Sequence, residues 1–234
     1  MCGRLGRPDL TWRQLYELER RFLGPPIPVR DPNAVELSAS WNVKPTQLVD
    51  IAYLNGEQLF STTARWWFVP SWHRGDVKDW KRTTFNAKIE TAASLPSFRN
   101  AWRSQRCIIP AAGYYEWTGP KGNKQPWWIT TDSNAPALFF AGLYSRPRDD
   151  LHTCTILTRS ALPQISEIHA RSPVILADDQ IDPWLSAAPE ADEAQKLGLA
   201  WNDRMRAHKV APFGRDDDGP ELIEPFGEFF SHCH

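Results

Sequence analysis

Apolar and polar positions alternate over short stretches through the middle of the chain, which is the period of half-buried strands rather than of long helices. The runs are Val49 to Leu54, Ala64 to Val69, Cys107 to Ile109, Tyr114 to Trp117, Trp127 to Thr130, Leu138 to Leu143 and Thr153 to Leu157. Turn signals separate them: Asn55-Gly56, the Gly119 to Asn123 stretch and Thr131 to Asn134, so Trp117 to Trp128 reads as a hairpin. Helical spacing appears at Leu10 to Phe22, with Thr11 as its cap and Leu15, Leu18 and Phe22 on one face, before a proline-rich stretch from Gly24 to Pro32 ends it. Further helical pieces are expected at Leu95 to Ser104, Leu162 to Ile168, and Ile181 to Leu185 running on into Ala191 to Leu199. Many short strands with interspersed helices and no βαβ rhythm predict a single α+β domain built on antiparallel sheet.

Composition narrows the class. The 234 residues are 41% hydrophobic and 12% aromatic, enough to bury a substantial core. No run of 18 apolar residues and no hydrophobic signal core occur, so a cytoplasmic protein without membrane association is expected. Cys2, Cys107, Cys154 and Cys233 show no paired spacing, which argues against a zinc ribbon or a disulfide framework. The ending His232-Cys233-His234 reads as a frayed tail rather than a metal site, and neither metal nor cofactor is expected.

The formal net charge of −1 hides an asymmetry. Residues 65–106 hold nine Lys/Arg against three Asp/Glu, and residues 178–234 hold five against thirteen. The basic segment also carries Trp66, Trp67, Trp72, Trp80 and Trp102, mixing phosphate-pairing charge with rings that can stack on unpaired bases; composition alone fits a buried aromatic core as well.

Candidate chemistry begins at Met1-Cys2-Gly3-Arg4. Removal of Met1 leaves one residue with both an α-amine, pKa near ~7.7–8.0, and a thiol. Such an aminothiol condenses with an aldehyde to a Schiff base that the sulfur closes into a thiazolidine. Glu116 lies on an aromatic strand where desolvation would raise its pKa toward general acid or base use. Asn86 to Thr91 groups an amide, a cation and a carboxylate, and His169 and Arg171 precede an apolar run.

Taken together, Met1-Cys2-Gly3-Arg4, Asn42-x-x-Pro45-Thr46, Trp66-x-x-x-Pro70-x-Trp72, Asn86-Ala87-Lys88-x-Glu90-Thr91, Arg106-Cys107-x-x-Pro110, Tyr115-Glu116-Trp117, His169-x-Arg171-x-Pro173-Val174-Ile175-Leu176 and Gly219-Pro220-Glu221-Leu222-Ile223 resemble the SOS-response-associated peptidase family. The resemblance spans nearly the whole chain, with the domain at 1–225 and a tail at 226–234. It implies a barrel-like antiparallel sheet with peripheral helices. It also implies a monomeric sensor of abasic sites in single-stranded DNA, at replication forks and in the nucleoid of a bacterium, that crosslinks to the lesion with lyase and self-processing side activities. By this resemblance the catalytic residues are Cys2 as nucleophile, Asn86, Glu116 and His169. The DNA-binding residues it implies are Arg4, Pro45, Trp66, Lys88, Trp117, Thr158 and Arg171. Lys88 stands where the family more often has Arg, and Lys44 where a small residue is common; both departures alter the DNA footprint rather than the chemistry. Two alternatives remain at this level: an N-terminal-nucleophile cysteine amidotransferase, and a non-covalent module for single-stranded DNA in which Cys2 is dispensable.

Overall fold

The computed structural model describes residues 3–7, 14, 17, 29–132, 137–201 and 204–227. The strands are β1 (Leu5–Arg7), β2 (Val29–Arg30), β3 (Ser40–Val43), β4 (Leu48–Asn55), β5 (Gln58–Trp66), β6 (Asn86–Lys88), β7 (Arg106–Ala111), β8 (Gly113–Thr118), β9 (Gln125–Thr131), β10 (Leu138–Arg148), β11 (Leu151–Ser160), β12 (Arg171–Pro173), β13 (Ile175–Leu176) and β14 (Met205–Lys209). The helices are short: α1 (Ile89–Ala92), α2 (Arg99–Ser104), α3 (Asp178–Ser186) and α4 (Ala191–Lys196). Of the expected helix at Leu10 to Phe22, only Gln14 and Glu17 are described, both helical and exposed; the rest lies outside the described residues.

Among the described residues the strands form two sheets. One runs β14-β9-β8-β1-β3. In the other, β11, β10, β7, β4 and β5 lie side by side, and β5 pairs in parallel with β11 through Arg65↔Thr153 and Trp66↔Cys154, closing these five strands into a ring. The barrel-like expectation is met, although the pairing that closes the ring is parallel. β6 adds in parallel to β11, and β12 adds antiparallel to the same strand.

Two cores follow from the alternation of side chains along the ring strands. Ile51, Trp66, Cys107, Ile109, Phe140 and Ile156 join Leu5, Val43, Tyr114 and Ile129 of the smaller sheet. Ala52, Leu59, Ile108, Leu143 and Leu157 pack instead against the helices through Ile89, Trp102, Ile181 and Trp184. Arg106 is buried beneath α2 and α3 and caps both: its Nη1 donates to the carbonyls of Trp102 and Arg103 at 2.8 Å, its Nε to Trp184 at 2.6 Å and its Nη2 to Leu185 at 3.2 Å. A cation at two helix C-termini satisfies carbonyls that have no intrahelical partner.

The hairpins fall where the turn residues put them. Asn55 pairs with Gln58 around Gly56, whose φ of 62° needs no Cβ, and Thr118 pairs with Gln125. The helical expectations shrink. Leu162 to Ile168 is a single 3-10 turn at Pro163–Ile165, and the pattern from Ile181 to Leu199 splits into α3 and α4 around Pro189. β1 pairs with β8 through Leu5↔Tyr114 and Gly6↔Gly113, and the ring of Trp128 lies over the two glycines; a Cβ on either would meet it at 2.7 Å or less.

Candidate active site and nucleic-acid interface

Beyond the Leu5↔Tyr114 pair, the Tyr115 amide donates to the Arg4 carbonyl at 3.0 Å, so the register carries Gly3 level with Glu116. Cys2 lies outside the described residues. Glu116 is only 4% exposed, and burial pushes its carboxyl above the usual range. The His169 Nδ1 is 3.8 Å from Glu116 Oε1. Nδ1 also lies 3.0 Å from both the amide nitrogen and the carbonyl oxygen of Arg171, accepting from the one or donating to the other according to the tautomer. Two proton-carrying groups from strands distant in sequence are thus adjacent: Glu116 on β8 and His169 in the turn ahead of β12.

Asn86 is half-buried at the start of β6, opposite Ile156. Thr158 pairs with Lys88 on one side and Pro173 on the other, and is 1% exposed. A residue enclosed between two strands has no surface for DNA, so Thr158 is corrected from a DNA contact to a structural link: its hydroxyl reaches the Ala87 carbonyl at 3.4 Å and its carbonyl accepts from Arg171 at 2.6 Å. Arg171 also grips Glu90 bidentately, Nη1 to Oε1 at 2.6 Å and Nη2 to Oε2 at 2.8 Å, and this bond holds the Glu90 carboxyl below its usual range. Lys88 is exposed at the end of β6.

Trp66 is the second correction. It is 0% exposed in the ring wall beside Cys154, and its indole N–H donates to the Phe85 carbonyl at 2.8 Å, so it offers no face to a base. Trp72 is the exposed ring of the basic segment, at 46%. It meets Trp80 edge-on at 5.6 Å, and the Arg82 guanidinium lies 5.9 Å from the Trp80 ring. Arg74, Lys78, Lys81 and Arg82 are exposed on the same loop. The Trp-x-x-x-Pro-x-Trp motif held both rings, and only burial separates the core one from the surface one.

On the other flank, Arg4 donates to Asn42 Oδ1, and the Asn42 amide holds the carbonyls of Gly214, Arg215 and Asp217. Burial and then the neighbouring Arg215 hold the Arg4 guanidinium below its ordinary pKa. Arg215 is a cation beside Arg4 that no motif pointed to; their positions are 211 residues apart (215 − 4), and only folding unites them. Trp117 is half-buried against Phe213 at 6.0 Å, with the Arg4 guanidinium 6.0 Å from its ring. Pro45 occupies the second position of a turn closed by Gln47 N–H to the Lys44 carbonyl at 3.1 Å. Thr46 follows at φ 82°, a strained conformation for a β-branched residue. Lys44 is tied to Asp216 at 3.3 Å.

No cluster of three or more His, Cys, Asp or Glu among the described residues could hold a metal ion, and His232, Cys233 and His234 lie outside them. Cys107 and Cys154 are free thiols, both buried. No helix among the described residues is long and apolar enough to cross a membrane.

Residues 1–213 match the family described as SOS response associated peptidase (SRAP). The chain belongs to the SRAP family. Its relatives include the abasic site processing protein YoqW of Bacillus subtilis, 36% identical over 200 residues that cover 81% of this chain and 87% of YoqW. The abasic site processing protein YedK of Escherichia coli is 28% identical over 96% of this SRAP chain and all of its own. HMCES of Gallus gallus, named likewise, is 31% identical over 69% of this chain and 56% of its own. A solved structure from Bordetella bronchiseptica superposes with a TM-score of 0.70 at 27% identity, covering 90% of this chain and 100% of that one. One from Bacteroides thetaiotaomicron gives 0.76 at 21% identity, covering 96% and 100%, a likeness of fold.

Proposed function

We propose that this protein senses abasic sites in single-stranded DNA and captures them covalently through Cys2 once Met1 has been removed. The observation that carries the reading is the buried Glu116 carboxyl, 3.8 Å from the His169 ring, at the level to which the N-terminal strand leads. An abasic sugar is mostly a closed hemiacetal, and its ring opens when a proton reaches the ring oxygen. A carboxyl whose pKa burial raises is suited to supply that proton, and the adjacent imidazole to take the hydroxyl proton released as the aldehyde forms. The Cys2 amine then adds to the aldehyde carbon and water leaves, forming the Schiff base. The thiolate attacks the imine carbon, the nitrogen takes up a proton, and a five-membered thiazolidine results. If the sulfur does not close the ring, the same imine permits β-elimination at the 3′ side, which is lyase chemistry. Removal of Met1 by the protein itself would use the same Glu116.

Trp72, with the basic loop around it, takes the stacking role that Trp66 cannot, while Lys88, Arg4, Arg215 and Trp117 line the rest of the DNA path. Relatives named abasic site processing proteins support this reading. The protein acts as a monomer on single-stranded DNA, where it meets replication-fork proteins. Its substrate lies in the nucleoid if the cell is bacterial.

The test is denaturing electrophoresis of protein with a confirmed N-terminal Cys2, mixed with a single-stranded oligonucleotide carrying one abasic site. A heat-stable shifted band that requires both the lesion and Cys2, and is lost in Cys2→Ala, is expected. No band from the processed protein overturns covalent capture and leaves non-covalent binding of single strands.

A further inference from the structure

Resting on the reading of Cys2 and Glu116 as the lesion site, we infer that Lys209 and Phe226 form a flanking subsite, which holds the phosphate and the base of a nucleotide next to the abasic sugar. Register places four residues in one row across the smaller sheet. Glu116 on β8 stands opposite Trp127 on β9, and Trp127 stands opposite Lys209 on β14. The antiparallel bridge Val210↔Pro225 then brings Phe226 opposite Lys209, and the Phe226 amide donates to the Lys209 carbonyl at 2.8 Å. Residues opposite one another in antiparallel pairs project from the same face, with Cβ atoms about 5 Å apart. Three strand spacings of about 4.8 Å carry the row about 14 Å from the Glu116 strand. That span suits a stretch of nucleic-acid strand rather than a small molecule.

The chemistry along the row fits that ligand. The Trp127 indole N–H is engaged, donating to Thr118 Oγ1 at 3.0 Å, and the exposed Lys209 ammonium lies 5.7 Å from the ring centre, a cation–π contact that steadies it. Among the described residues no carboxylate pairs with Lys209, whereas Arg206 on the same strand is held by Asp132 at 2.6 Å. Lys209 thus keeps its charge for an anion, and the anions nearest an abasic sugar are the phosphodiesters of its own strand. Phe226 is large and apolar yet 52% exposed, and the contact of His208 Nε2 with the Ile223 carbonyl at 2.7 Å helps fix the segment that carries it. A fixed cation followed by an open ring is the pairing by which single strands are held, charge on the phosphate and π-face on the base. No motif in the sequence contains Lys209 or Phe226.

The experiment measures dissociation constants at several salt concentrations for wild type, Lys209→Ala, Lys209→Arg, Phe226→Ala and Arg206→Ala. The probe is a single-stranded oligonucleotide with a tetrahydrofuran analogue of the lesion, which has no aldehyde and so cannot crosslink. It is used with the analogue in the middle, at the 5′ end and at the 3′ end. On the central probe Lys209→Ala should flatten the dependence of log affinity on log salt by about 0.7, the worth of one phosphate contact on a single strand. Lys209→Arg should keep the wild-type slope, and Phe226→Ala should weaken binding about fivefold or more. Arg206→Ala, which removes the same charge from the same strand, should leave the slope unchanged. Both losses should persist on one end-labelled probe and vanish on the other, which identifies the flank that the subsite holds. An unchanged slope in Lys209→Ala overturns the inference. So does equal flattening by Arg206→Ala, the mark of bulk charge, or an effect that is the same on both end-labelled probes. If Lys209→Ala does not fold, Lys209→Met decides, since it keeps the stem over Trp127 and removes only the charge. Failure of wild type to crosslink a true abasic strand would instead sink the covalent reading and leave these binding measurements standing.

Discussion

Trp66 and Trp72 stand six positions apart in one motif, yet one is sealed in the wall of the ring and the other is 46% exposed on a basic loop. The ring wall leaves no choice at residue 66, because its partner Cys154 belongs to the strand that closes the ring, and the indole must find the Phe85 carbonyl to bury its N–H. At residue 72 the strand has ended, the chain turns outward, and Trp80, His73 and Arg82 gather around an open aromatic surface. Two residues of one type in one segment therefore do different work. The first holds the barrel that positions Glu116 and His169, and the second can engage a ligand.

The largest break in this comparison is Trp66→Ala, expected to destabilise the fold by about 3–5 kcal/mol through lost burial and the cavity left behind, read from denaturant unfolding. Trp72→Ala should leave the unfolding midpoint nearly unchanged while weakening binding to an abasic single strand by about 1–3 kcal/mol, the worth of one base stacked on an aromatic ring. Fluorescence anisotropy measures it, and equal effects of the two substitutions on stability would erase the distinction. The smallest effect belongs to the charges beside Trp72. Lys81→Ala with Arg82→Ala should flatten the dependence of log affinity on log salt by about 1.4, or about 0.7 per phosphate contact on a single strand. Titrations at several salt concentrations check this, and an unchanged slope would remove the loop from the DNA path.

Acidity separates a third region from both. Burial raises Asp50 to about 6, although Arg30 and Arg7 pull it down. The native state then binds a proton that the unfolded chain, at its ordinary value near 3.8, has released. Stability should fall as pH rises from about 4 to 6 and stay lower above, by up to about 3 kcal/mol from this one group. Asp50→Asn should flatten that fall in thermal unfolding across pH. An unchanged profile would show that the carboxyl is solvated in the native protein.

The local setting of two candidate residues was legible in the sequence. Glu116 lies on a strand whose apolar neighbours announce burial, and the structure buries it; His169 precedes an apolar run, and the structure sets it two residues ahead of β12. Thr158 and Trp66 were misread as DNA contacts because exposure is not a local property. Either residue would face solvent on an edge strand, and both are enclosed because β6, β12 and the ring closure arrive from elsewhere in the chain.

Local pattern determined β4, β7, β10 and β11 of the ring, the hairpin from Trp117 to Trp128 and the aromatic strand of Glu116, since period-two alternation and turn residues act between near neighbours; it misplaced β5, expected at Ala64 to Val69 and found at Gln58–Trp66. Strands of two or three residues, such as β6, β12 and β13, carry too few positions to show any period. Only the tertiary structure decided the parallel seam of β5 and β11, the approach of Arg215 to Arg4, the grip of Glu90 on Arg171 and the 3.8 Å between Glu116 and His169. Each joins residues 53 or more positions apart, Glu116 and His169 being the nearest pair, where contact depends on the closure of the whole chain and not on the propensities of its segments.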